Sequence, residues 1–198
     1  MPNSKQQQSY KYIKDKSILN DSRPEIVLDS KVEYLLLKFF VVNTPCETTS
    51  RKSISLKEYG WKEKYNSKYG LQKKLDPIID FNSGNYIFTD EDDLLDRFED
   101  NKLTDNMLED IITERFVIGK TPESNKLLKL LRHIRNCFAH GKYLVVKNSI
   151  DQQMIIMQDD NTHSVTARII LRVNNLVEVI KIIDKDNSIG WKEILRSS

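Results

Sequence analysis

The run Leu130-Leu131-Arg132-His133-Ile134-Arg135-Asn136-Cys137-Phe138-Ala139-His140-Gly141 decides how this chain is read. At about 100° per residue, Leu127, Leu130, Leu131, Ile134, Cys137 and Phe138 share one side of a helix, the spacing of a core-facing stripe. Arg132, Asn136 and His140 fall on the other side, with Arg135 on its flank. Thr121 followed by Pro122 is a helix start: a capping hydroxyl, then a residue with no N–H to leave unsatisfied. The helix is expected to run to about His140, where Gly141 supplies the left-handed residue that ends many helices.

Outward from this segment the same periodicity recurs. Residues 31–42 carry Val32, Leu35, Leu36, Phe39 and Phe40 at helical spacing, and Asn43-Thr44-Pro45 stops them. A polar loop is expected over 47–57 and a short extended excursion over 76–88, which contains the turn signal Asn82-Ser83-Gly84-Asn85. Thr89 and the acids after it open a further helix. Those acids read as a solvated, dipole-complementing first turn rather than a metal site. Another helix is expected over 104–116, with Met107, Leu108, Ile111, Ile112 and Phe116 as its stripe. Residues 143–146 and 154–157 read as a β-hairpin around a polar turn. A last long helix is expected over 164–184, with Ile169, Val173, Leu176, Ile180 and Ile183 in register, and a short one over 191–195. The expectation is an all-α bundle with a small β-hairpin insertion after the motif helix. Residues 1–25 are expected as a flexible arm, and 26–198 as a single helical domain.

The chain has 198 residues, enough for one domain with a sizeable core. Its few glycines and prolines, 6 and 5, weigh against a sandwich or a disordered chain. Net charge is only +2, so overall charge does not mark a nucleic-acid binder; its distribution says more. Residues 51–74 hold eight basic and two acidic side chains, and residues 90–110 hold ten acidic and two basic. Only the first stretch suits a polyanion. Within it Tyr59, Trp61, Tyr65 and Tyr69 alternate with Lys62, Lys64, Lys68, Lys73 and Lys74, which fits either base stacking with phosphate neutralisation or an ordinary amphipathic segment. Cys46 and Cys137 lie far apart and read as reduced structural thiols. No secretory leader and no apolar run of the roughly 18–20 residues needed to span a bilayer is present. The expected location is cytoplasmic, with no membrane association.

Two arginines, an amide and a histidine thus gather near one helix end. On helix geometry alone they suit a solvated stripe with His140 near the last carbonyls, or a phosphate-holding and proton-moving site. His133 and His163 lack such company and read as surface or boundary residues. The segment Arg135-Asn136-Cys137-Phe138-Ala139-His140 resembles the arginine, polar residue, three residues, histidine signature of the HEPN superfamily (higher eukaryotes and prokaryotes nucleotide-binding domain). The context resembles it too: the motif closes a long helix, and a hairpin and another amphipathic helix follow.

The resemblance implies a homodimer whose two motif helices line one cleft, and a metal-independent endoribonuclease of toxin–antitoxin or other anti-phage defence systems. It implies RNA as substrate, an antitoxin or defence-system partner, and no metal or other cofactor. Arg135 and His140 would be the catalytic pair, with Asn136 orienting them. Histidine titrates near neutral pH and can move the proton of a ribose 2′-OH. A guanidinium can hold the scissile phosphate in a bidentate manner. Attack by the 2′-oxygen would leave a 2′,3′-cyclic phosphate. Arg132, one turn earlier, and Lys142 and Tyr143, just past the helix end, are further candidates for holding phosphate and base. The tyrosine that HEPN toxins under nucleotidyltransferase control carry two residues after the histidine is replaced here by Lys142. A non-catalytic RNA- or nucleotide-binding module and a helical interaction module are the alternatives.

Overall fold

The computed structural model describes residues 17–46, 54–61, 70–89, 93–104, 108, 111–123, 125–162 and 164–196. At its centre two apolar stretches pair as long antiparallel strands, β4 (Gln153–Asp160) and β5 (Val165–Arg172). β1 (Tyr86–Phe88), β2 (Arg115–Ile118) and β3 (Tyr143–Lys147) complete a five-stranded sheet of order β1-β2-β5-β4-β3. β1 runs parallel to β2, and the other pairings are antiparallel. The helices are α1 (Ser30–Leu37), continued by wider π-type turns over Lys38–Asn43, α2 (Leu71–Leu75), α3 (Leu94–Asp100), α4 (Lys126–Ala139), α5 (Val173–Ile183) and α6 (Trp191–Arg196).

The expected all-α bundle is therefore incorrect. The physical reason lies in β5. Side chains alternate across a strand, and here both faces are covered. Ala167, Ile169 and Leu171 join the core formed with α1, α4 and α5, while Val165 and Ile170 join a second core with Ile18, Phe98, Leu103 and Ile111. The strand does alternate, with Thr166, Arg168 and Arg172 set against Val165, Ala167, Ile169 and Leu171, but no turn separates it from Val173, so its apolar residues run on into the helix that follows. Ile169 and Val173 then mimic helical spacing, although they lie on either side of the strand-to-helix junction. The helix expected over 164–184 begins only at Val173.

The same ambiguity misplaced residues 104–116. Arg115–Ile118 is the fully buried strand β2, with Phe116 opposite Ile169, and 105–107 and 109–110 lie outside the described residues. The hairpin of β3 and β4 is present with Leu144 opposite Ile156, but it supplies two of the sheet's five strands instead of decorating a bundle. Residues 62–69, most of the alternating aromatic–lysine segment, and 90–92, the start of the acidic run, lie outside the described residues, as do 1–16 and 47–53.

The motif helix α4 begins four residues later than the Thr121-Pro122 signal implies. Asn125 is its cap: the side-chain oxygen accepts from Leu127 N at 2.8 Å and Leu128 N at 3.3 Å. Asn125 is extended, with ψ 128°, so the helix cannot continue back to Pro122. The other end follows the sequence. Gly141 has φ +62°, Lys142 N donates to Cys137 O at 2.8 Å, and Gly141 N donates to Phe138 O at 3.4 Å. These paired bonds are a Schellman closure, which satisfies terminal carbonyls and needs a residue tolerant of positive φ.

If β5 is the doubly buried strand, Ile170→Ala opens a cavity beneath the sheet and lowers unfolding free energy by roughly 2–5 kcal/mol. Urea denaturation checks this, and a loss below about 1 kcal/mol, the level of a surface change, would contradict the assignment.

Candidate active site

α4 sets the arrangement. Its apolar stripe, from Leu127 to Phe138, is buried; Phe138 stacks on Phe40 at 5.5 Å between ring centroids. The polar stripe is not simply solvated, because one edge of it meets the sheet. In β4, Ile155, Met157 and Asp159 share strand parity, and Ile155 and Met157 face the core that contains α4. Asp159 consequently points at the helix. It is only 4% exposed, and a buried carboxylate must find donors. Both come from α4: Asp159 Oδ2 lies 2.7 Å from His133 Nδ1 and accepts from Asn136 Nδ2 at 3.0 Å.

Asn136 carries the chain of contacts outward. Its Oδ1 accepts from Arg135 Nη1 at 3.3 Å. Arg135 and Asn136 are each partly exposed, and His140 is exposed at the helix cap. The His140 backbone N–H donates to Asn136 O at 3.0 Å, while its imidazole makes no hydrogen bond among the described residues. Of the expected trio, Arg135 and Asn136 are in contact, and His140 stands one turn beyond, open to solvent.

The outer candidates are engaged within the chain. Arg132 pairs with Glu123 at 2.6 Å, the arginine side chain 23% exposed and the carboxylate 8%. Lys142 Nζ pairs with the Asp160 carboxylate. Tyr143 lies against Phe138, with centroids 4.8 Å apart, and burial raises its phenol pKa, with Glu33 and Glu25 adding to the effect.

Sequence reasoning missed His133 and Asp159. His133 is 3% exposed, not a surface residue. With its proton on Nδ1 it donates to the carboxylate, and Nε2 is buried without a partner among the described residues. A signal existed: once 153–160 is read as a strand, parity sends Asp159 inward with Met157. His163 lies outside the described residues.

The thiols are poor nucleophiles. Burial pushes Cys46 up to about 12, helped by Glu123, and raises Cys137 well above the usual thiol range, whereas nucleophilic cysteines need a depressed pKa. Among the described residues no group of three or more His, Cys, Asp or Glu side chains could hold a metal ion. None of the helices described is long and apolar enough to cross a membrane.

His133 thus belongs to the fold, and its loss strips a donor from a buried carboxylate. His133→Ala is expected to cost about 3 kcal/mol, and Arg132→Ala, which removes a partly exposed pair, less than about 1 kcal/mol. Equal losses in chemical denaturation would contradict the burial of the His133–Asp159 pair.

No curated protein and no solved structure matches the chain. The family model HEPN pEK499 p136 matches residues 34–186, a span that starts within α1 and contains all five strands, the whole motif helix and α5. With the sheet, the motif helix and every candidate residue inside that match, the chain belongs to the HEPN pEK499 p136 family.

Proposed function

We propose that this chain is a metal-independent endoribonuclease of the HEPN type, acting as a homodimer in the cytoplasm in a toxin–antitoxin or other anti-phage defence system. The observation that carries the reading is the juxtaposition at the end of α4. Arg135 is held by Asn136, and His140 stands exposed one turn beyond them at the helix cap, in a chain of a HEPN family.

The chemistry follows from the residue types. His140 takes the proton of a ribose 2′-OH, and the 2′-oxygen attacks the adjacent phosphorus. The bond from phosphorus to the 5′-oxygen breaks, and that oxygen leaves with a proton from a general acid. Arg135 forms charge-assisted bonds to the non-bridging oxygens as negative charge grows on them. The products are a 2′,3′-cyclic phosphate and a 5′-hydroxyl. One imidazole cannot be base and acid in the same concerted step. A single α4 is therefore a half-site, and a second copy of the helix supplies the other histidine. Arg132 and Lys142, released from Glu123 and Asp160, would extend the phosphate contact, with Tyr143 at the edge of the base.

Incubation of the protein with RNA in EDTA tests this reading. Wild type is expected to cleave and to leave cyclic phosphate ends, and His140→Ala and Arg135→Ala each to lose roughly 10²-fold or more. Light scattering at micromolar concentration is expected to give a dimer. Equal cleavage by wild type and His140→Ala would contradict the assignment, and RNA retained without cleavage would favour a binding module instead.

A further inference from the structure

Asp159 lies outside the expected set of site residues, and the chemistry above makes no use of it. It nonetheless stands at a junction. One oxygen, Oδ2, meets His133 Nδ1 at 2.7 Å and Asn136 Nδ2 at 3.0 Å, and the other end of the same amide accepts from Arg135 at 3.3 Å. We infer that Asp159 is a positioning residue, which orients Arg135 through the side-chain amide of Asn136. The catalytic consequence rests on the nuclease reading; the orientation itself does not.

A carboxamide has one donor end and one acceptor end, whereas an ionised carboxylate only accepts and a guanidinium only donates. Asp159 on one side and Arg135 on the other therefore permit a single orientation of Asn136. The amide nitrogen faces the strand, and the oxygen faces the arginine. Without the carboxylate, nothing in this chain of contacts opposes a half-turn of the amide, which would set N–H against N–H at Arg135 and break this contact.

The carboxylate is itself well held. It is 4% exposed, it shares its oxygen with the buried His133, and its backbone carbonyl accepts from Thr166 Oγ1 at 3.2 Å. The pairing of β4 with β5 shifts register between Asp159 and Asp160. Such irregularities re-aim side chains: Asp160, the next residue, turns to Lys142 instead. A preset guanidinium loses less side-chain freedom when it grips the transition state, so the effect should fall on kcat more than on KM.

A purely structural role for Asp159, as counter-charge to His133, predicts that activity follows stability. Positioning predicts that they separate. His133→Leu leaves the bond from Asn136 to Asp159 and should lose stability while keeping most of kcat. His133→Leu with Asp159→Leu replaces the whole buried pair by apolar groups, a change that recovers stability in many proteins. Here it should recover stability yet lower kcat for RNA roughly 10- to 100-fold, with KM within about threefold. Asp159→Asn keeps an acceptor and should retain more kcat than the double variant; it also serves if the double variant does not fold.

The second readout needs no activity: nuclear magnetic resonance of the Asn136 side-chain amide. Its two protons should shift and exchange faster in the double variant than in His133→Leu. A wild type that does not cleave RNA would end the nuclease reading alone, and the amide signals would still judge the positioning. Unchanged Asn136 amide signals in the double variant, or kcat that tracks stability across the three variants, would overturn the inference.

Discussion

The burial of one carboxylate ties the motif helix α4 to the strand β4. Asp159 sits on a strand whose parity leaves it no choice but to face α4, and at 4% exposure it cannot be satisfied by water. Its donors, His133 and Asn136, lie three residues apart on the helix, the spacing that places two side chains over one point. Sliding or rotating α4 against β4 by one residue would separate them and leave a charge unpaired, at a cost of about 3–5 kcal/mol. Apolar contacts such as Phe138 on Phe40 hold the helix down, but they tolerate small shifts. The polar junction adds a directional constraint that the apolar contacts lack.

From that junction the rest of the candidate site follows by distance from the sheet. His133 is buried and belongs to the fold. Asn136 is at the boundary, with one end in each environment. Arg135 reaches solvent, and His140 is fully outside, where the Schellman closure at Gly141 turns the chain into β3. Order at the base and exposure at the tip suit a site that holds phosphate firmly and moves protons at an open edge. A single helix end exposes one imidazole, which is why the proposed chemistry asks for two copies.

The placement of the candidate residues on their helix was legible in the sequence, and much of the fold was not. The 3.6-residue period of α4 separated its buried stripe from Arg132, Arg135, Asn136 and His140 without any structure, because one face is apolar and the other polar. The end at Gly141 was equally plain, since few residues accept φ +62°. The sheet escaped because β2 carries the unbroken apolar run Phe116-Val117-Ile118 and β5 passes into α5 with no turn between them. Burial on both sides erases the alternating pattern in β2, while the apolar residues of β5 fall in with the period of the helix that follows them. The error hid Asp159 as well. Only in a strand does its position two residues after Met157 point it inward. His133 looked like a boundary residue for the same reason: its partner comes from an element 26 residues away in sequence.

The central claim is that nucleic acid meets this protein at the outer end of α4, on Arg135 and His140, with the buried junction as a rigid base. The most direct test is a titration with a short RNA whose 2′-hydroxyls are methylated, which can bind but cannot be cut, followed by nuclear magnetic resonance of arginine and histidine side chains. The account predicts that the Arg135 guanidinium and the His140 ring shift with a single saturable affinity that weakens as salt rises, while the His133 ring stays in place. Saturable binding that moves other residues and leaves Arg135 and His140 unchanged would contradict it.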